Sequence, residues 1–407
     1  MSEALENIVE YMMRRGNMSG RIETKSGIVV LQHLTSNKLF HSDTTHPSEY
    51  DFYKSGELKV QRYRQYGKLH RTGGPAVVQF YKSGNTESEK YYENGFLKNR
   101  DNLPNVIFYH PNGKIRAEYW YNSAKKLHKL GGPAEKLYAE NGELQKIAYY
   151  RDDQLHRLDG PALVLMEGDG IKQEEFHENG KPKNCNGSPN TIKYKNNIAV
   201  YKSWRDEESK YHRTDGPALE NYHENGKLSS VYYYNHGVQH RLDGPAVTSY
   251  SENGVKLSEN YYVDDIPENK SGPTSIQFYP NGNVMLEIWE NKKGDTHQFD
   301  HPAFRKYHEN GKIEEEQWQI NGVITRDKGP AVISWYPNGY IRQRKYYVNG
   351  KRYRENENYG SVITYYENIA NRKKREDFIN DTEICDTYMS ILYGEDGSRQ
   401  ICRMKAA

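Results

Sequence analysis

Histidine and arginine stand side by side at His70/Arg71, His156/Arg157, His212/Arg213 and His240/Arg241, with weaker versions at His128/Lys129 and Arg326. A guanidinium beside an imidazole can grip an anion, and a row of such pairs repeated along one edge could hold successive phosphates. The opposite reading is architectural. Asp159, Asp215 and Asp243 each follow an arginine by two residues, and could pair with it or cap the local turn, which would neutralise the row. Zinc is not expected, because His70, His128, His156, His212 and His240 lack the close carboxylate or cysteine partners of a metal site.

Other chemistry has less to stand on. No Ser, His and Asp or Cys and His arrangement emerges from spacing, and there is no Gly-rich phosphate loop or metal-binding helix motif. A nucleophile and its base normally occur once, in an irregular patch, whereas these residues recur. The expectation is a protein that is not an enzyme and that needs no cofactor. The three cysteines, Cys185, Cys385 and Cys402, are too few and too scattered for a disulfide framework and fit a reducing compartment. Lysine plus arginine (57) nearly balance aspartate plus glutamate (55), so charge gives no general argument for nucleic acid or an anionic membrane as partner. No apolar run approaches the roughly 20 residues that span a bilayer, and no signal-peptide core opens the chain. A soluble intracellular protein, in the cytoplasm of a cell or host or in a virion, is expected.

The elements that must position these residues are written as a repeat. Eleven of the 16 prolines, from Pro47 through Pro75, Pro104 and Pro133 to Pro330, fall on one lattice with steps of 28 or 29 residues. A glycine, usually after Asn, follows nine places later in ten of these eleven units. Asn-Gly between aromatic and β-branched residues is a hairpin signal, and a proline belongs at a strand start or corner. Each unit is therefore expected to hold one hairpin. Aromatic rows recur five places after the proline, including Phe80, Tyr109, Tyr222, Tyr250, Phe278 and Trp335, and sixteen places after it, including Trp120, Trp289 and Trp318. These rings are the expected core ladder. A hydrophobic fraction of 35%, with 36 Tyr against 10 Phe, suits a thin body more than a thick core. The expected fold is all-β: an elongated single-layer antiparallel meander, or solenoid, of about twelve 28-residue hairpin repeats.

The tandem hairpins with "YYENG", "YHENGK", "YYVNGK" and "YPNG" resemble the MORN (membrane occupation and recognition nexus) repeat superfamily, in the variant found in antitoxin-like proteins. The "HRTDGPA" and "HRLDGPA" corners resemble repeat proteins of bacteriophages and large DNA viruses. The resemblance runs from about Ser19 to about Gly397 and implies architecture. It also implies two roles, neutralising one specific protein or tethering at a membrane surface. The unit here, at 28 residues, is longer than the usual MORN unit.

Both ends depart from the lattice. Leu5, Ile8, Val9 and Met12 recur at helical spacing, so residues 1–18 are expected to form an amphipathic helix that caps the first unit or docks on a partner. Residues 19–359 form the array, and 360–407 read as a degenerate last repeat and C-terminal cap, with Ser361 at the expected proline place and a possible oligomer contact. The basic run Asn371 to Asp377, "NRKKRED", reads as a turn, either a solvated loop or an import-like signal. The functional expectation is a non-catalytic scaffold for protein-protein interaction, of the kind a viral or phage structural or accessory component provides, with neutraliser and membrane tether as alternatives.

Overall fold

A computed structural model describes residues 46–183, 187–353 and 361–365 and residue 42, and gives 23–25, 28–32, 372–377, 387–393 and 399–405 as strand backbone. The described residues are all-β, with no helix among them. The helix expected over residues 1–18 lies outside the described residues, as do Cys185 and Cys385. The chain divides into two compact units, Met1–Asn197 with Glu207–Ser209, and Ile198–Asp206 with Lys210–Ala407.

In the first unit the long strands pair antiparallel in chain order. The series starts with Glu23–Lys25 against Ile28–Gln32 and ends with Ile171–Glu175 against Thr191–Lys195. The second unit follows the same rule from Ile198–Ser203 against Leu219–Tyr222 to Thr387–Tyr393 against Arg399–Lys405. Each is a meander of one layer.

The repeat beginning at Pro330 shows why the sequence folds this way. Val332–Trp335 and Ile341–Lys345 pair across a turn in which Gly339 N–H donates to the Tyr336 carbonyl at 2.8 Å and Tyr336 N–H to the Tyr340 carbonyl at 2.9 Å. Gly339 has φ 96°, and the register slips between Ser334 and Trp335. This is a three-residue type of hairpin turn with a bulge, in which only the glycine needs the left-handed region. The chain then passes a corner at Tyr346 and makes a second hairpin, Tyr347–Val348 against Lys351–Arg352. Here both turn residues, Asn349 at φ 48° and Gly350 at φ 78°, are left-handed, as a two-residue turn matched to strand twist requires. Most repeats therefore hold two hairpins, one long and one short, where one was expected. The signal was present in Asn94-Gly95, Asn179-Gly180, Asn321-Gly322 and the Asp-Asp pairs 152–153 and 264–265, all left-handed.

Burial is complete along the corner. Ala76, Ala134, Ala162, Ala218, Ala246, Ala303 and Ala331, each directly after a lattice proline, are fully buried. Beside them the second aromatic row is buried at Tyr63, Trp120, Trp204 and Tyr346 and half-buried at Trp289 and Trp318. The first aromatic row behaves differently: Phe52 is buried, but Phe80, Tyr109, Tyr222, Tyr250, Phe278 and Trp335 are half-buried. A one-layer sheet gives a ring on its face only neighbours in the same plane, whereas the corner is closed from two directions.

That half-open face explains the excess of tyrosine over phenylalanine. Tyr109, Tyr138, Tyr194 and Tyr307 each donate to a glutamate of the preceding repeat, Glu89, Glu118, Glu174 and Glu287, at 3.1, 2.7, 3.1 and 2.7 Å. Burial, reinforced by the adjacent carboxylate, pushes the phenols of Tyr194 and Tyr307 up to about 12 and holds Tyr109 and Tyr138 well above the usual phenol range. In the unfolded chain these phenols ionise near pH 10. Their contribution to stability is thus full below pH 10 and is lost as pH rises from 10 through 12. Melting temperature followed by circular dichroism is expected to fall over that window, with tyrosinate absorbance rising at the same pH as the sheet signal disappears. Tyrosinate absorbance complete by pH 10.5 with the sheet intact would contradict the ladder.

Two expectations at the C-terminal end are corrected. Ser361 occupies the small-residue place rather than the proline place: it is fully buried and accepts the Tyr346 N–H at 2.9 Å, as Ala331 accepts that of Trp318. The basic run is not a turn, because Arg372–Asp377 is a strand paired to Val362–Tyr365 on one side and Thr387–Tyr393 on the other. Counted from Ser361, those residues fall where every repeat places its second long strand. Lattice position outweighs local charge there.

Candidate interaction edge at the HRxDG corners

The short hairpin, or in three repeats a turn closed by a single bridge, delivers the chain to the HRxDG segment, which leads into the next lattice proline. There the arginine turns inward. Arg71, Arg100, Arg157, Arg213, Arg241 and Arg326 lie over the rings of Tyr63, Tyr91, Tyr149, Trp204, Tyr233 and Trp318, with the guanidinium carbon 3.5 to 4.1 Å from the ring centroid. Lys129 does the same over Trp120 at 4.0 Å. Each arginine also donates to the carbonyl of its own lattice proline, from 2.7 Å at Arg100 and Pro104 to 3.4 Å at Arg213 and Pro217. In three repeats Nε completes the set on the aspartate two places on, at 2.9 Å for Arg157 and Asp159 and 2.8 Å for Arg213/Asp215 and Arg241/Asp243. The hydrogen bond from arginine holds those three carboxyls below the usual carboxylate range. Arg71, whose repeat has Gly73 in place of the aspartate, leaves Nε buried without a hydrogen-bond partner.

In three repeats the arginine also crowds the glycine. A Cβ at Gly160, Gly216 or Gly244 would come within 2.8, 2.9 and 3.0 Å of the guanidinium carbon of Arg157, Arg213 and Arg241. Here glycine serves close approach, not backbone conformation.

The histidines act one repeat further along. His70, His156 and His212 present Nδ1 to the backbone N–H of Asn94, Asn179 and His236, at 3.2, 3.2 and 3.3 Å, so each caps the short turn of the following repeat. His240 and His128 meet carboxylates at that place, Asp264 at 2.8 Å and Asp152 at 3.1 Å. The eight residues His70, Arg71, His156, Arg157, His212, Arg213, His240 and Arg241 thus stand at four corners, those before Pro75, Pro161, Pro217 and Pro245, but the arginines are engaged by ring, carbonyl and, in three cases, carboxylate. Among the described residues no group of three or more His, Cys, Asp or Glu is placed to hold a metal. No described helix is long and apolar enough to cross a membrane.

With the arginine and glycine turned in, the residue between arginine and aspartate is turned out. That place holds Leu130, Leu158, Leu242 and Phe299, which are 79%, 65%, 72% and 73% exposed. Leu103, one place before Pro104, is 55% exposed. Composition does not mark these residues, because apolar letters inside a polar motif read as core until the inward neighbours are known.

The far edge, at the long turns, is held by side chains that reach forward one repeat. Asn112, Asn225 and Asn310 donate Nδ2 to the carbonyls of Glu140, Glu252 and Pro337, each at 2.9 Å. Lys114, Lys227 and Lys312 donate Nζ to the carbonyls of Asn141, Asn253 and Asn338 at 2.7, 3.3 and 2.8 Å. Tyr53, Tyr81, Tyr279 and Tyr336 donate their hydroxyls to the carbonyls of Phe80, Tyr109, Tyr307 and Tyr365 at 2.8, 2.7, 2.7 and 2.9 Å. The recurrent "NGK" letters are the residues of this joint.

These features define a class, a tandem array of β-hairpins in one antiparallel layer. Residues 303–317 match the family model described as MORN repeat variant, and they span one long hairpin, Phe304–Tyr307 with Ile313–Gln317. The repeat is accordingly MORN-like. Among curated proteins none matches the chain.

Proposed function

We propose that the chain is a non-catalytic scaffold that binds a protein partner along its HRxDG edge, in the setting of a viral or phage assembly that its "HRLDGPA" corners resemble. The observation that carries this reading is the row of exposed apolar side chains. In the first unit Leu130 and Leu158 hold the same place in two consecutive repeats, 79% and 65% exposed, and Leu103, at the glycine place of the repeat before them, is 55% exposed, while the cations beside them are committed to the chain's own rings. Two strands per repeat set successive rows about 10 Å apart. Large apolar side chains recurring on an otherwise polar edge fit a protein interface better than a lipid or phosphate surface, which calls for free cations.

Leu130→Asp combined with Leu158→Asp tests the reading. The tagged chain is purified from its native source beside the double variant, with partners quantified by mass spectrometry. At least a tenfold loss of the co-purifying protein, with an unchanged circular dichroism melt, is the expected result. Undiminished recovery removes the edge from the interface. The recovered stoichiometry separates a scaffold with several partners from a neutraliser held one to one.

A further inference from the structure

The cation that the arginine place lays over the corner ring is missing in two consecutive repeats of the second unit, and the two differ in how they manage without it; over Trp289 the more distant Arg305 guanidinium still stands 5.6 Å from the ring centroid. In "HQFDHP" the arginine place is Gln298 and the glycine place is His301. The imidazole of His301 meets the Trp289 ring edge-on at 4.8 Å, and its Nδ1 contacts the Pro302 carbonyl at 2.9 Å, so a residue of the chain has taken over both tasks. In "ENKSGP" the arginine place is Asn269, whose Nδ2 reaches the Pro273 carbonyl at 2.7 Å but whose length ends there. Among the described residues no cation lies over Tyr261, the ring of that corner. Gly272 is retained, and the nearest atom to a Cβ built on it is Asn269 Nδ2 at 3.4 Å, where Arg157, Arg213 and Arg241 crowd the same point to 2.8, 2.9 and 3.0 Å.

A cleft of about 330 Å³ lies there, walled by Tyr261, Val263, Glu268, Asn269, Lys270, Ser271 and the neighbouring corner from Arg241 to Gly244. Its charged groups sort simply. Arg241 is bound to Asp243 and lies over Tyr233. Lys270 is exposed on the rim, and Glu268 occupies the histidine place, half-buried.

We propose that the Tyr261 cleft binds an arginine side chain presented by a partner protein, which takes the place that seven other repeats fill with their own cation. The chain supplies its own template for the geometry: a guanidinium plane about 4 Å above the corner ring. Glu268 faces the same cleft and supplies the carboxylate that a planar, two-pronged donor prefers over an ammonium. The site rests on the partner reading only for the source of the arginine, and it lies in the other unit from Leu130 and Leu158.

The test uses the full chain and a blocked Gly-Arg-Gly peptide, followed by saturation-transfer NMR from protein aromatic protons to the arginine methylenes. Saturable transfer is expected with the wild type, falling at least fivefold when citrulline replaces arginine. Asn269→Arg, which restores the missing bracket, is expected to abolish it while melting no lower than the wild type. If that variant fails to fold, Tyr261→Leu takes its place with the same expected loss. Transfer that survives both substitutions, or that citrulline matches, overturns the proposal. Peptide binding without any effect of the leucine substitutions on partner recovery would keep this site and reject the HRxDG edge.

Discussion

Replacing Trp120 with alanine is expected to destabilise the first unit by about 3–5 kcal/mol, the range for removing a large ring from a closed core site. Trp120 is 6% exposed, lies under the Lys129 ammonium at 4.0 Å, and has its backbone tied to Ala134 at 2.9 Å and to His128 at 2.9 Å. Truncation removes the ring, the surface on which Lys129 rests and the filler of the corner together. The same residue allows a finer test. Its indole Nε1 is buried with no hydrogen-bond partner among protein atoms, so Trp120→Phe sheds an unpaired donor along with some volume. The phenylalanine variant should lose less than half of what alanine loses. Urea unfolding followed by circular dichroism measures both, and an alanine variant within 1 kcal/mol of the wild type would show that the corner is not the core.

Ala331→Leu is the second large effect, about 3 kcal/mol, by overfilling rather than emptying the corner. Ala331 is fully buried, donates its N–H to the Lys345 carbonyl at 2.9 Å and accepts from Trp318 at 2.8 Å, so its backbone is held on both sides and cannot withdraw. Ala331→Ser is the control, because the array already uses hydroxyls at this place. Ser48 and Thr274 each direct the hydroxyl to the carbonyl that their own N–H reaches, Arg62 at 3.3 Å and Ile288 at 3.1 Å. The serine variant is expected within about 1 kcal/mol of the wild type, the ordinary net worth of one such bond. Equal losses for leucine and serine would argue that polarity rather than volume limits the row.

The lattice of prolines and Asn-Gly turns was legible because each mark has a local physical cause, a corner or a left-handed residue. The long hairpins followed from it directly. The short hairpins did not, since strands of two residues such as Tyr347–Val348 are too brief to show alternation, and only their paired left-handed turns betray them. Burial was legible in kind but not in place. Alanine gives little hydrophobic signal, yet Ala76 and Ala331 sit deeper than Phe80 or Trp335, because closure at the corner depends on contacts between neighbouring elements, such as the Trp318 N–H on the Ala331 carbonyl. The HRxDG letters advertised a charged site, and whether their arginines face water or a ring turns on a tyrosine or tryptophan eight or nine residues earlier. The same neighbour relation exposes Leu130 and Leu158, which no reading of the motif alone could place.

The joint at the long turns has a bearing on how such a chain can change. Every bond that the asparagine, lysine and tyrosine side chains throw forward ends on a backbone carbonyl, as Asn310 does on Pro337 and Lys312 on Asn338. A carbonyl is there whatever residue carries it. A segment of 28 codon triplets copied or lost in frame therefore arrives with its donors and finds its acceptors already in place, so gene recombination can lengthen or shorten the array by whole units while the letters between the joints drift toward new partners.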